Sequence, residues 1–335
     1  MFTRPVSPLC SMRAAVFTVS PQMSYWNFFT FAMRVTACSI DTDQDYLSRS
    51  RIFPTMDTLT NDISTAQKAA WNKFSGGWKK WDALTMDMLR PPGEAIMDHL
   101  GASGNCQVLD IAAGTGEPGL SIARHLFDGG KVIITDLAES MLQVAVEKAA
   151  ASGAKHVEFR EADANALPFE DNSFDAVSCR MGFMFFPDMQ QAANEMARVL
   201  KPGGRVATTV WAGPEKNFWV TCMQQNIKKH IDVAPPEPGA PGMFRCAQPG
   251  LIAGFFKTAG LKEVAEREVP NTVGVSGPEE YWNLMTEVAA PFVAALSGAD
   301  AGTVAKVKAD VITSMTERYP KGNIDGRAIV ITGVK

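Results

Sequence analysis

A doubly wound α/β fold, with a mostly parallel sheet and helices on both faces, is what this sequence predicts, and three observations carry it. Short apolar runs alternate with amphipathic ones at near-constant spacing through the middle of the chain. A glycine-rich turn, AAGTGEPG, follows the first of those runs. An acidic residue then stands at the end of each of three successive runs: Asp110, Asp136 and Asp163. Strands alternating with helices imply parallel pairing, and such sheets bind ligands at the carboxyl ends of their strands.

The elements are read in chain order. Residues 1–40 hold no Asp or Glu, and Arg4, Arg13 and Arg34 stand among many Ser, Thr and aromatic residues. Two readings stay open for residues 1–55: a targeting segment, or a disordered extension with Met56 opening the folded domain. From Asn61 a helical pattern sets Trp71, Phe74, Trp78 and Trp81 on one face, with Gly76 and Gly77 expected to bend or break it. A helix from Pro92 to Leu100 leads into strands Gln107–Ile111, Val132–Thr135, Val157–Phe159, Phe174–Cys179 and Arg205–Trp211. Between the strands, Gly119–Leu126, Glu139–Ala151 and Met189–Leu200 read as helices, and KPGG, Lys201–Gly204, reads as a turn. Beyond Trp211 come a helix from Asn217 to Ile231, the stiff APPEPGAPG loop and a helix from Gln248 to Ala259. A strand Leu261–Val269, helices Pro278–Leu296 and Ala301–Arg318, and a final strand Ala328–Val334 complete the pattern. The folded domain is thus expected over 56–335, with its core at 100–212 and cap or substrate elements at 56–99, 213–247 and 278–320.

Composition narrows the function. A chain of 335 residues with net charge -4 offers no basic field for phosphate backbone, so nucleic acid is not an expected partner. The six cysteines lie far apart with no CxxC pair, which argues against a zinc site and a disulfide framework. No metal cluster is visible, and no run reaches the roughly 18 apolar residues of a spanning helix. The expected partner is a small molecule, and the sequence leaves the oligomeric state open. The expected location is cytoplasmic, or mitochondrial if residues 1–55 are a transit peptide.

The turn carries the chemistry. Gly114 and Gly116 let the backbone bend and approach a ligand, and Pro118 suits a helix start. Gly114, Gly116 and Gly119 also match GxGxxG, so a nicotinamide cofactor competes at this point. Asp136 can accept hydrogen bonds from both ribose hydroxyls of an adenosine in either case. Asp163 can accept from an adenine amino group, and Asp110 can orient the amino group of a bound methionine, directly or through water.

Four ordered segments, VLDIAAGTGEPG, VIITDLAESML, FREADANALPFEDNSFDAVSCRMGFMFFPD and MARVLKPGGRVATTVWAGPEKNFW, resemble class I S-adenosylmethionine-dependent methyltransferases of the branch that includes the ubiquinone and menaquinone biosynthesis methylases. The resemblance runs from Ala69 to Trp219, more loosely from Met243 onward. It implies a Rossmann-like sheet of seven strands, the last antiparallel and inserted beside the strand from Leu261, with N-terminal helices and a small helical cap. It also implies S-adenosyl-L-methionine as cofactor, with Asp110, Ala112, Gly114, Thr115 and Gly116 around the methionyl part. Asp136 and Leu137 would meet the ribose, Met141 the adenine face, Asp163 and Ala164 the adenine edge, and Cys179 and Arg180 the methionyl group.

The implied reaction is methyl transfer to a small, apolar acceptor such as a quinone precursor or a phenol. Met181, Phe183, Met184, Phe185 and Phe186, just after the fourth strand, read either as an acceptor pocket or as core. Methyl transfer from a sulfonium needs alignment and water exclusion more than a base. If a base acts, His230 is the candidate, while His99, His125 and His156 read as surface or structural. The rivals are a nicotinamide-dependent oxidoreductase, a non-catalytic adenosylmethionine-fold binding protein and a macromolecular methylase. The last lacks an NPPY-like motif where CRMGFMF stands.

Overall fold

The computed structural model of the protein describes residues 56–335, and the expectations for residues 1–55 lie outside them. Helices α1 (Met56–Lys80) and α2 (Asp82–Leu100) precede β1 (Gln107–Asp110), α3 (Gly119–Ala123), β2 (Lys131–Asp136), α4 (Glu139–Ser152) and β3 (Val157–Glu161). Next come β4 (Phe174–Arg180), α5 (Met189–Val199), β5 (Leu200–Trp211), α6 (Phe218–Lys228) and α7 (Leu251–Thr258). The chain continues through β6 (Lys262–Gly274), α8 (Pro278–Val288), α9 (Ala290–Ser297), α10 (Ala301–Arg318) and β7 (Asn323–Val334). No helix among the described residues is long and apolar enough to cross a membrane.

All seven strands form one sheet in the order β3-β2-β1-β4-β5-β7-β6. Pairing is parallel from β3 through β5, and β7 runs antiparallel to both β5 and β6. This is the seven-stranded arrangement, with its last strand inserted, that the resemblance implies. From β1 the chain moves outward to β2 and β3, then returns to β4 on the other side. The crevice between the carboxyl ends of β1 and β4 is therefore the switch point where such sheets take ligands. Both strands are almost wholly buried, as central parallel strands covered on two faces must be. One core cluster packs Ile96, Leu100, Leu120 and Leu142 against the sheet; a larger one gathers Phe183, Met196, Met223 and Phe256 with residues from α5 onward.

Several boundaries differ from the sequence expectation, each for a tertiary reason. Helix α1 runs unbroken through Gly76 and Gly77. Gly77 is where α8 approaches, since a Cβ there would lie 2.1 Å from the Glu287 carbonyl oxygen. Helix α2 begins at Asp82 and holds Pro91 and Pro92 in its interior. Pro91 and Pro92 cannot donate to the carbonyls four residues back, but packing on β4, β5 and β6 holds the helix together. KPGG is not a free turn. It joins β5 as an irregularity, the register stepping from Phe174↔Leu200 to Ala176↔Arg205, with Gly203 at φ 78°. The segment expected as one helix from Pro278 divides at Ala289, and Pro291 opens α9. Strands β6 and β7 extend well past their apolar stretches because they pair with each other from Lys262↔Val334 to Gly274↔Asn323.

Candidate functional site

Beyond β1 the chain turns sharply under the control of three strands. The Ile111 N–H donates to Ser178 O of β4 at 2.8 Å, and Ala113 N–H to Thr135 O of β2 at 2.9 Å. Between them Ala112 is held at φ 52°, a left-handed conformation that an L residue rarely adopts. The neighbouring segment makes room for its methyl group, since a Cβ built on Gly182 would fall 2.5 Å from Ala112 Cβ. Gly119, where α3 begins, is equally confined. Its Cβ would lie 2.7 Å from Asp110 Oδ2 and 2.8 Å from Ile134 Cγ1.

The three acids have different environments. Asp110 is fully buried; Oδ1 accepts from Ser178 Oγ at 2.7 Å and Oδ2 from Gly119 N–H at 2.7 Å. Burial pushes its carboxyl up to about 7, against the hydrogen bonds from Ser178 and Gly119 and the attraction of Arg180. Asp110 thus ties the turn to β4 and to the start of α3. Asp136 is 8% exposed, and burial raises its pKa against the backbone donors around it. Oδ2 accepts from Gly114 N–H at 2.8 Å and Oδ1 from Ala138 N–H at 2.9 Å. A carboxylate offers roughly four acceptor directions, so capacity for a ligand remains. Asp163 is half-buried, its Oδ1 taken by Asn165 N–H and its Oδ2 by Ser64 Oγ of α1, both at 2.8 Å.

The other expected residues lie around this turn. Leu137 is half-buried after β2, and Ala164 is buried beside Asp163. Met141 is buried against the glycine turn, its Cε 3.3 Å from where a Gly114 Cβ would be. Gly116 sits at φ 101°. Thr115 is buried and donates to Asp82 Oδ1 at 3.0 Å, and Lys148 Nζ reaches the same oxygen at 2.9 Å. The first residue of α2 is thereby latched to the turn and to α4.

At the end of β4, Cys179 is fully buried, and burial pushes its thiol up to about 12, so it stays protonated within the core. Arg180 is only 9% exposed, yet among the described residues no carboxylate lies within ion-pair distance. Its guanidinium donates to Leu89 O at 3.3 Å and to the Met86 thioether at 3.2 Å. Burial lowers its pKa, while Glu117, Asp110 and Asp82 favour the charge from farther away. Beside it in register stands Thr209, fully buried and with its hydroxyl unpartnered among the described residues. Thr209 escapes the sequence reading because only the β4–β5 register brings it to Arg180. His230 is not brought to this site: it is exposed beyond α6, with Nε2 2.9 Å from Asp310 Oδ2 on α10.

Helix α1 lies along the carboxyl rim. Ser64 bonds Asp163, Lys68 pairs with Glu161, Asn72 Oδ1 accepts from Ser140 N–H at 2.9 Å, and Lys79 pairs with Glu147. Trp71 meets Phe185 edge-on, ring centroids 5.2 Å apart. The 232–247 loop closes the far side, where Gly242 N–H donates to Met184 O and Arg245 to Phe186 O and Pro187 O. Of the five Met and Phe residues in the 181–186 segment after β4, Phe183, Met184 and Phe186 are buried, whereas Met181 and Phe185 are partly exposed.

Residues 78–231 match the ubiE/COQ5 methyltransferase family. Over 134 residues the chain is 40% identical to the ubiquinone/menaquinone biosynthesis C-methyltransferase UbiE of Hahella chejuensis, covering 40% of this chain and 54% of that protein. An uncharacterised protein of Mycobacterium tuberculosis is 38% identical over 175 residues, covering 52% of this chain and 61% of its own length. The chain thus spans a little over half the length of the curated relatives it matches. The solved structure of the YcgJ protein of Bacillus subtilis superposes with a TM-score of 0.49 at 20% identity, over 72% of this chain and 97% of that one.

Proposed function

We propose, from the premise that residues 78–231 form a class I S-adenosylmethionine-dependent methyltransferase domain of the ubiE/COQ5 type, that this chain transfers a methyl group to a small, apolar acceptor such as a quinone precursor or a phenol. The observation that carries the cofactor reading is Arg180, a buried guanidinium at the end of β4 with no carboxylate partner among the described residues, beside the Thr209 hydroxyl, which has no partner among them either. A buried charge without a counter-ion is unfavourable unless a ligand completes it. The carboxylate of a methionyl group would do so.

In this reading Arg180 and Thr209 hold the methionyl carboxylate, and the turn from Ala112 to Gly116 approaches the rest of that moiety. Asp136 accepts from the ribose hydroxyls with the lone pairs its backbone bonds leave over, Leu137 lies beside it, and Met141 packs on the adenine. Asp163 and Ala164 meet the adenine edge, Asp163 exchanging Ser64 Oγ for the adenine amino group. Asp110 and Cys179 act from beneath, through the turn and the strand end. When bound, S-adenosylmethionine supplies a methyl group on positive sulfur, whose carbon–sulfur electron pair stays with sulfur as the nucleophile's pair takes the carbon. Trp71, Phe185 and Met181 line the approach, exclude water and align a flat, apolar acceptor.

Calorimetric titration with S-adenosylhomocysteine and with NADH tests the cofactor, and transfer of labelled methyl to a panel of quinone precursors, phenols, sterols and polyketide-like metabolites tests the acceptor. Binding of NADH without binding of S-adenosylhomocysteine would overturn the reading. Uptake of label only by sterols would overturn the acceptor class.

A further inference from the structure

Trp78 carries a donor that the protein itself does not satisfy. Its indole N–H is buried and has no acceptor among the described residues. Trp81 on the next turn gives its N–H to Glu287 Oε2 at 2.9 Å, and Trp219 gives its own to Asn217 Oδ1 at 3.2 Å. A buried donor left unpaired is unfavourable, because it has given up its bond to water and gained none. Its surroundings are specific: the Trp78 ring lies against Trp71 with centroids 6.1 Å apart, and Trp71 meets Phe185 at 5.2 Å. Phe185 belongs to the 3-10 turn Phe183–Phe185 that follows β4, and its N–H donates to Gly182 O at 2.9 Å. Trp78, Met86, Met181 and Phe185 all belong to the partly buried fringe of the larger core. The orphaned N–H therefore stands two ring contacts from Phe185, in the turn that follows the strand end beside which methyl transfer is proposed.

We propose that Trp78 determines acceptor specificity: its N–H donates to an oxygen of the acceptor that is not the atom methylated. This rests on the methyltransferase reading above. A hydrogen bond given to the reacting lone pair would hold that pair back from the methyl carbon, so the bonded oxygen is a second one, a carbonyl or hydroxyl elsewhere on the molecule. The rings of Trp71 and Phe185 favour a flat partner. The acceptor class is thus a planar molecule with one nucleophilic position and a separate hydrogen-bond-accepting oxygen.

The test uses the full chain carrying nitrogen-15 tryptophan, saturated with S-adenosylhomocysteine, and two probes: 2,7-dihydroxynaphthalene, with a second oxygen, and 2-naphthol, without one. Trp78→Phe keeps an aromatic ring at the position, removes the donor and identifies the Trp78 indole resonance by its disappearance. The expected result is a downfield shift of that resonance with the dihydroxy probe, which Trp78→Phe binds about 5- to 10-fold more weakly than wild type. 2-Naphthol and S-adenosylhomocysteine should bind both proteins equally. An unmoved resonance, equal weakening of both probes, or wild type taking up neither probe overturns the inference. Weaker S-adenosylhomocysteine binding by Trp78→Phe also overturns it, because the donor then serves the cofactor. Absence of S-adenosylhomocysteine binding by wild type would overturn the methyltransferase reading, and this inference with it.

Discussion

Arg180→Met should move stability and cofactor affinity in opposite directions. In the ligand-free protein the guanidinium meets a carbonyl at 3.3 Å and a thioether at 3.2 Å. Breaking a buried ion pair costs about 3–5 kcal/mol because a charge is left stranded, but here no carboxylate of the described residues lies within ion-pair distance to be stranded. Methionine fills much of the same volume, so ligand-free stability should change by no more than about 1 kcal/mol, or rise, a shift of roughly 2–4 °C at most. With ligand the sign reverses. One hydrogen bond to a charged group contributes about 1.5–3 kcal/mol, so S-adenosylhomocysteine should bind about 10- to 150-fold more weakly. At a concentration 100 times the wild-type Kd, the ligand stabilises wild type by about 2.7 kcal/mol, and a 100-fold weaker mutant by only about 0.4 kcal/mol. Thermal melts with and without S-adenosylhomocysteine, backed by calorimetric titration, read both quantities. A ligand-free loss above about 2 kcal/mol with unchanged affinity would refute the reasoning and make Arg180 a structural residue.

Three further outcomes are expected. Gly76→Ala, whose new Cβ meets nothing within 4 Å, should stabilise by about 0.5–1 kcal/mol, whereas Gly77→Ala, 2.1 Å from Glu287 O, should destabilise by about 1–3 kcal/mol in urea titration. Asp110, raised from 3.8 to about 7, lets the folded state bind more protons than the unfolded state between those values. Its contribution to stability is therefore full below about pH 4 and is lost as pH rises through 7, and Asp110→Asn should flatten that fall between urea midpoints at pH 5 and pH 8. Asp136→Ala strands Gly114 N–H and Ala138 N–H and removes the proposed ribose contact. It should lower stability by about 1–3 kcal/mol and weaken S-adenosylhomocysteine by about 10- to 150-fold, measured by denaturation and calorimetry.

Local chemistry explains what the sequence made legible. The glycine turn, the acids at the ends of β1 and β2 and the alternation of strands with helices are written in neighbouring residues, and the sheet order follows once the family resemblance is added. The unreadable parts depend on partners far along the chain. Gly77 resembles a helix breaker until Glu287 occupies the space of its missing Cβ. The PNTVG end of β6 has little strand character and is held by β7. Thr209 is one of two adjacent threonines; the register pairs it with Arg180, while Thr208 spends its hydroxyl on Cys179 O at 2.8 Å. His230 is drawn to Asp310, whose position on α10 no local pattern predicts.

The insertion of β7 between β5 and β6 governs the order in which the molecule can assemble. Strands β1 to β5 pair through contacts available once residue 211 is in place, but β5 then presents an open edge, and β6 has no neighbour until residues 323–334 arrive. Closing the sheet means joining segments more than a hundred residues apart, from Arg205↔Val334 to Trp211↔Ala328. Such long-range closure is slow, and an uncovered edge recruits other strands while it waits. A nascent or truncated chain without β7 would thus hold the glycine turn and its acids on a half-finished sheet exposed to aggregation, so recovery of the protein from cells should depend on its last strand.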